Sequence, residues 1–322
     1  MSDKKTPKHV TFADDVAKRL IEMLEQGTAP WQRPWETTPA LAPYNPTTGK
    51  EYTNTNHLWL SIQSQEDPRW MTYRQAQNAG WQVKKGSKST EIIGGASFYD
   101  RDKKDELGNV VKNENGEKIK ERIFKSGFKT FNVFNAKDIE GIPPLERTEI
   151  PKHEWEPNQR AEHILKQSGA DITHVVGNRA FYRPATDTIT LPEKSQFKSD
   201  AHYYGTALHE LGHWAGHSSR LDRDLKHPFG SIGYAKEELR AEIGSFMLSQ
   251  ALGVAHDPSQ HASYVASWIK VLKEDPQEII KASRDAGQIK DFVMGFDKQR
   301  EAERKPVEQE HTVSKVEQDI EL

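Results

Sequence analysis

Between residues 14 and 26, in DDVAKRLIEMLEQ, the apolar side chains Val16, Leu20, Ile21 and Leu24 recur at helical spacing, and Gly27 ends the pattern. An amphipathic helix is predicted there. The next stretch, GTAPWQRPWETTPALAPYNPTTGKEY, holds five prolines, which exclude a helix interior or a central strand. It reads as an ordered arm or a loop. Short helices are predicted at about 55–65 and at 72–79, the second opened by Thr72 as N-cap and closed by Gly80. The period then changes: STEIIGGASFYD (89–100) and IKERIFKSGFKTFNVFNA (119–136) read as strands. Joined through the polar insertion 101–118, they predict a long hairpin.

The segment 141–157 has four prolines and little apolar periodicity, so a linker is placed at 144–157. Beyond it, NQRAEHILKQSG predicts a helix and HVVGNRAFYRPATDTITLPEKSQF predicts short strands around turns at Gly177 and at Pro184 to Asp187. Helices resume in SDAHYYGTALHELGHWAGH, YAKEELRAEIGSFMLSQALG and HASYVASWIKVLKED. The predicted class is α+β in two domains. A small α+β domain with a β-hairpin spans 1–143, and a mostly helical domain with a small sheet spans 158–296. Residues 297–322 are charged and almost free of aromatic side chains, the composition of a disordered tail.

Composition narrows the chemistry. With no cysteine in 322 residues, disulfides, thiolate ligands and a cysteine nucleophile are excluded, so a metal must be held by His, Asp or Glu. No apolar run approaches the roughly 20 residues needed to cross a bilayer, and MSDKKTPKHV leads into no hydrophobic segment of the signal-peptide kind. A cytoplasmic protein with no membrane partner is expected.

In YYGTALHELGHWAGHSSRLDRD, His209 and His213 lie one turn apart on a predicted helix, so both imidazoles can reach one ion. Glu210 projects beside them, placed to take a proton from water. Such a pair alone is a weak signal, because the pattern arises by chance in unrelated helices. A third ligand changes that. YAKEELRAEIGSF puts Glu238 and Glu242 one turn apart on the following helix, the arrangement in which zinc hydrolases with two His and one Glu find their glutamate and a polar group steadying a histidine. The plainer reading is a solvated face, with Glu237, Glu238 and Glu242 paired to Arg240 or Lys236. His217 continues the face of His209 and His213, but on a straight helix it would lie about 12 Å along the axis from His209, too far to share an ion. It is expected beside a ligand or facing substrate. Trp214 and Trp268 read as core. With His209, His213 and Glu238 as ligands and an open fourth position, the chemistry is metal-assisted hydrolysis with Glu210 as base. The natural target is a peptide bond, and Tyr234 is a nearby candidate to stabilise the oxyanion. The ion expected is one divalent metal, Zn2+ first and Mn2+ as the alternative.

Five of the eight tryptophans, Trp31, Trp35, Trp59, Trp70 and Trp81, fall in the first 81 residues. Several sit among prolines and polar residues rather than in an apolar pattern. Arg33, Lys50, Tyr52, Arg74, Lys84, Lys85 and Lys88 are interleaved with them. Aromatic platforms beside a cationic track suit single-stranded nucleic acid, in which bases stack and phosphates meet Lys and Arg. Candidate contacts are Trp31, Arg33, Trp35, Lys50, Tyr52, Arg74, Lys84, Lys85 and Lys88, with Gly86 letting backbone N–H groups approach a phosphate. The alternative is an ordinary core of tryptophans with a solvated rim of lysines.

Both halves together resemble the ArdC family of plasmid-borne antirestriction proteins, which is related to the N-terminal part of certain conjugative primases. The resemblance runs from about residue 12 to 295. It is carried by APWQRPW, NPTTGKEYTNTN, DPRWMTYRQAQNAGWQVKKGSKST and FKTFNVFNAKDIEGIP in the first half. In the second half it is carried by FYRPATDTITLPEKSQF, YYGTALHELGHWAGHSSRLDRD, FGSIGYAKEELRAEIGSFML and YVASWIKVLKED. It implies an N-terminal domain that binds single-stranded DNA, a C-terminal zincin-like metallopeptidase domain, Glu238 as third ligand, and protection of incoming plasmid DNA during conjugation. The insertion at 101–118 departs from the family pattern in length. Two alternatives stay open: the same DNA binder with a structural or inactive metal site, or a metallopeptidase whose N-terminal domain binds protein. A protein substrate would come from the restriction or host defence machinery.

Overall fold

The computed structural model describes residues 8–29, 41–63, 67–94, 97–102, 110–111, 118, 120–125, 129–145, 155–254 and 264–297. The first helix, α1 (Lys8–Glu25), buries Phe12, Val16, Leu20 and Leu24 as its spacing predicts. It ends in a Schellman motif: Thr28 N–H donates to Met23 C=O and Gly27 N–H to Leu24 C=O, with Gly27 at φ 64°. Residues 30–40 of the predicted arm, with Trp31, Arg33 and Trp35, lie outside the described residues.

A two-residue ladder, β1 (Tyr44–Asn45) with β2 (Lys50–Glu51), closes a turn in which Asn45 Oδ1 accepts from Thr47 N–H. Then come α2 (Asn54–Gln63), β3 (Trp70–Met71), α3 (Tyr73–Asn78), β4 (Gln82–Val83) and β5 (Thr90–Gly94). Thr72 caps α3 in a reciprocal capping box with Gln75. The predicted hairpin is present. Its inner part pairs β5 with β8 (Lys129–Asn135), and its outer part pairs β6 (Ser97–Asp102) with β7 (Lys120–Lys125), all antiparallel. β3 adds to β8 on the other side, and β9 (Ile139–Glu140) pairs with β4. Of the insertion, Asp102 and Lys118 are joined by an ion pair at 2.9 Å.

The second half begins with α4 (Trp155–Gln167). A three-stranded sheet of order β10–β12–β11 follows, from β10 (Asp171–Val175), β11 (Phe181–Arg183) and β12 (Thr188–Pro192). β11 is an edge strand, antiparallel to β12, while β10 is parallel to it. Against this sheet and α4 pack α5 (Asp200–Trp214) and α6 (Ile232–Leu252). Ser199 caps α5, Ser231 caps α6, and left-handed Gly253 terminates α6. α7 (Val265–Glu274) and a last helix, α8 (278–297), complete the bundle. α8 is not among the predicted elements.

The two halves share a core. Val16, Leu20 and Leu24 of α1 and Leu58 of α2 cluster with Leu239, Ile243 and Phe246 of α6, Trp268 and Leu272 of α7, and Ile279, Ala282 and Ala286 of α8. A second core sets Ile164 and Leu165 of α4 and Ile189 and Leu191 of β12 against Leu208, Leu211 and Trp214 of α5 and Ile289 of α8. α5 and α6 are thus held on several sides, which makes their facing surfaces rigid. Among the described residues, no helix is long and apolar enough to cross a membrane.

Candidate metal centre

Helical spacing places His209 and His213 on the surface of α5 that faces α6, and α6 answers with Glu238. The Nε2 atoms of the two histidines are 3.1 Å apart. Each lies 3.6 Å from an oxygen of Glu238. Three donors around a tetrahedral ion at 2.0–2.2 Å stand about 3.3–3.6 Å from one another, and the His209 and His213 nitrogens and one Glu238 oxygen all lie within 4.8 Å of one another, close to that spacing. They form the cluster of His, Asp and Glu donors that fits one ion among the described residues.

Each histidine is held from behind. Nδ1–H of His213 donates to Glu237 at 3.2 Å, which leaves Nε2 as the lone-pair nitrogen toward the cluster. Nδ1 of His209 lies 3.4 Å from Glu242, a carboxylate with no exposed surface. Glu237 is fixed in turn by Arg223, whose Nη2 donates to it at 2.7 Å and also to Gly212 C=O at 2.7 Å. Burial works against charge on His209, yet Glu238 and Glu242 raise it to about 9. Burial likewise opposes charge on Glu238, but His213 and His209 hold its carboxyl well below the usual range. Burial raises Glu210, partly offset by the same histidines and by a hydrogen bond from the Tyr182 backbone N–H.

The solvated-face reading of α6 does not hold, because Glu237, Glu238 and Glu242 are all buried. Arg240 pairs instead with Asp285 and Glu278 of α8. Glu237 and Arg223 were not singled out as functional in the sequence. The adjacent acidic pair at 237–238 was the available signal for Glu237. Nothing local marks Arg223, which sits in a loop and acts across space.

His217 does not continue the helix for a third turn. α5 stops at Trp214, and Gly216 N–H and His217 N–H bond back three residues, to His213 and Trp214. Arg220 reinforces the stop by donating to Trp214 C=O at 2.7 Å while its guanidinium lies 3.7 Å from the Trp214 ring centre. His217 therefore leaves the face and bonds Ser219 Oγ at 2.8 Å through Nδ1. Trp214 and Trp268 are core residues, as predicted.

The cluster opens into a cleft of about 760 Å3. β11 with its flanks lines it, together with His227, Phe229, Tyr234 and Tyr264. The hydroxyl of Tyr234 is 3.3 Å from that of Tyr264. Burial, then the charge of Glu238, raises the Tyr234 phenol above its ordinary value, so it stays an O–H donor at neutral pH.

In the first half, Lys84, Lys85 and Lys88 are exposed on the turn between β4 and β5, where Gly86 adopts φ 89°. Lys50 and Arg74 are exposed on β2 and α3. Tyr52 is half-buried and its hydroxyl donates to Trp70 C=O at 3.0 Å. Trp70 is buried; Trp59 packs edge-on against Phe12 and donates to Glu91 C=O.

Comparison with known proteins agrees with both halves. A model of the N-terminal domain of the anti-restriction factor ArdC matches residues 11–134, and a zincin-like metallopeptidase model matches residues 159–285. Two DNA primases TraC of Escherichia coli are 52% and 53% identical over 295 and 305 residues. The chain spans only 20% and 28% of their length, although 90% and 93% of the chain is covered. The uncharacterized protein y4eC of Sinorhizobium fredii is 32% identical over 315 residues, 99% of its length and 95% of this chain. Among solved structures, metal-free antirestriction ArdC of plasmid R388 superposes with TM-score 0.68 at 33% identity, covering 89% of this chain and 98% of that one. Its Mn(II)-bound form gives 0.66 at 32%, covering 88% and 97%.

Proposed function

This chain belongs to the ArdC antirestriction family, and we propose that it binds single-stranded DNA through its first half and hydrolyses a peptide bond at the metal centre of its second. The observation that carries the hydrolytic reading is the convergence of His209, His213 and Glu238 on one point, with Glu210 buried in the same cleft. Two imidazoles and one carboxylate suit zinc. Manganese is the alternative, the ion of the Mn(II)-bound R388 ArdC structure.

When bound, such an ion polarises a carbonyl and eases deprotonation of water. The side chains do the rest. Glu210 takes the proton of the attacking water on its carboxylate and returns it to the leaving amine nitrogen, as the new C–O bond forms and the C–N bond breaks. Tyr234 offers its O–H to the developing oxyanion. Tyr182 gives its backbone N–H to Glu210, so by strand alternation its C=O also faces the open edge of β11. That edge can pair with an extended peptide.

The DNA reading is supported by the ArdC N-terminal match and by the exposed Lys84, Lys85, Lys88, Lys50 and Arg74. Trp31, Arg33 and Trp35 are proposed as further contacts. Single strands should bind in preference to duplex, and the affinity should fall steeply with salt as counterions return. Protection of incoming plasmid DNA is the biological role this family membership suggests.

Metal content by plasma mass spectrometry tests the centre. Near-stoichiometric zinc in the wild type, lost in Glu238→Ala and kept in His217→Ala, is expected. In Glu210→Gln the metal should stay while hydrolysis falls by a factor of at least about 100. Antirestriction that survives this change would show that protection does not work through proteolysis.

A further inference from the structure

The lining of the cleft holds a feature that the hydrolytic groups do not require. Phe229 is 80% exposed, yet its ring belongs to an ordered aromatic series. Its centre lies 5.2 Å from that of Tyr234 and 6.4 Å from that of Tyr264. Tyr264 lies 6.2 Å from Trp268, which is completely buried. The series thus runs from the core to the lip of the cleft. Gly230, at φ 79°, makes the turn after Phe229 that a side-chain-bearing residue would resist. A large ring presented to water and braced from behind leaves apolar surface that folding does not cover.

Position says what covers it. Tyr234 adjoins Glu238, so the wall starts beside the converging donors. The same cleft is lined by β11, the edge strand of its sheet, where the C=O of Tyr182 faces away from β12 and is free to meet an extended polypeptide. We propose that Phe229, braced by Tyr234 and Tyr264, receives an aromatic or large aliphatic side chain next to the peptide bond to be cut. The centre is then selective for polypeptides that carry such a residue at that position. This inference rests on the peptidase reading and names its substrate class. A nucleobase would also stack on these rings, but the edge strand in the same cleft matches a peptide backbone rather than a sugar-phosphate chain.

The test uses the full chain loaded with zinc and two fluorescent peptides that differ only in Phe or Ala at one site. In the Glu210→Gln protein, anisotropy should show the Phe peptide binding roughly tenfold tighter. Phe229→Ala in the same background should remove that ratio, and Phe229→Trp should restore it. With Glu210 present, the ratio of kcat/KM for the Phe peptide over the Ala peptide should fall by roughly ten- to hundredfold in Phe229→Ala. Equal binding of the two peptides by Glu210→Gln, or a ratio untouched by Phe229→Ala, overturns the assignment. So does a short oligothymidine whose binding, rather than that of either peptide, is lost on Phe229→Ala. Selective binding without cleavage by the Glu210-containing protein would leave the wall assigned and refute the hydrolytic reading alone.

Discussion

Glu237 and Glu238 are neighbours on α6 with different tasks. Glu238 faces the point where His209 and His213 converge, while Glu237 turns to the back of His213 and to Arg223. One hundred degrees of helix rotation separate the two roles. Glu242, a turn beyond Glu238, serves His209 as Glu237 serves His213. Partners of this kind set ring orientation and basicity, so Glu242→Gln should weaken metal binding roughly ten- to hundredfold in a chelator competition. Glu237→Gln should do the same and also lower stability by on the order of 3 kcal/mol in urea unfolding. It leaves the Arg223 guanidinium, 8% exposed, without its counter-charge. At this scale the sequence is legible where roles follow from spacing along one helix, as for His209, Glu210, His213, Glu238 and Glu242. It is silent where a role depends on a loop folding back, as for Arg223, or on where a helix stops, as for His217. Gly216 marks that stop, but the Arg220 cap that fixes it comes from four residues further on.

At the scale of elements, periodicity identifies α1 and α7, which carry a one-sided apolar pattern, and the hairpin, whose strands alternate, whereas α5 and α6 are buried on most of their faces. The signal is diluted in α8, whose buried face mixes Ile279, Ile289 and Val293 with Ala282, Ser283 and Ala286. Small and hydroxylic side chains give a weak apolar signal even when fully enclosed. Nor does a stripe name its partner. α1 comes first in the chain yet packs with α6, α7 and α8, so the support of the helix that carries Glu238 includes a segment more than 200 residues away in sequence. Leu20 sits in that contact with no exposed surface. Leu20→Ala should cost about 2–5 kcal/mol, read from urea midpoints. The same variant should lose zinc at lower urea than the wild type if α1 braces the metal-bearing helix, whereas coincident wild-type and variant metal-release curves would assign α1 only to the first half.

Across the whole molecule, the halves are also joined by polar contacts, and one of them titrates. His57 of α2 is enclosed, and its Nε2–H donates to Gln250 Oε1 of α6 at 2.6 Å. Gln250 in turn donates to Leu41 C=O, next to the end of the undescribed arm. Burial lowers His57 to about 4, with the Gln250 bond opposing only in part. The unfolded chain binds the proton near 6.5, so the folded state, which keeps His57 neutral, is favoured above that pH. Stability from this source is intact above about 6.5, is lost progressively as pH falls, and levels off below about 4. A difference of that size corresponds to roughly 3 kcal/mol. Glu237, Glu238 and the other buried carboxylates add acid sensitivity of their own, so the contribution of His57 must be read as a difference from a variant that cannot titrate there. His57→Gln keeps a donor toward Gln250 and removes the ionisation. With metal stripped by chelator from both proteins, the wild-type advantage in unfolding free energy should shrink or reverse between pH 6.5 and 4.5. Parallel stability curves through that window would mean that the junction between α2 and α6 opens enough to hydrate His57. The coupling of the two halves would then rest on the shared apolar core and the remaining ion pairs, such as Lys290 with Glu51.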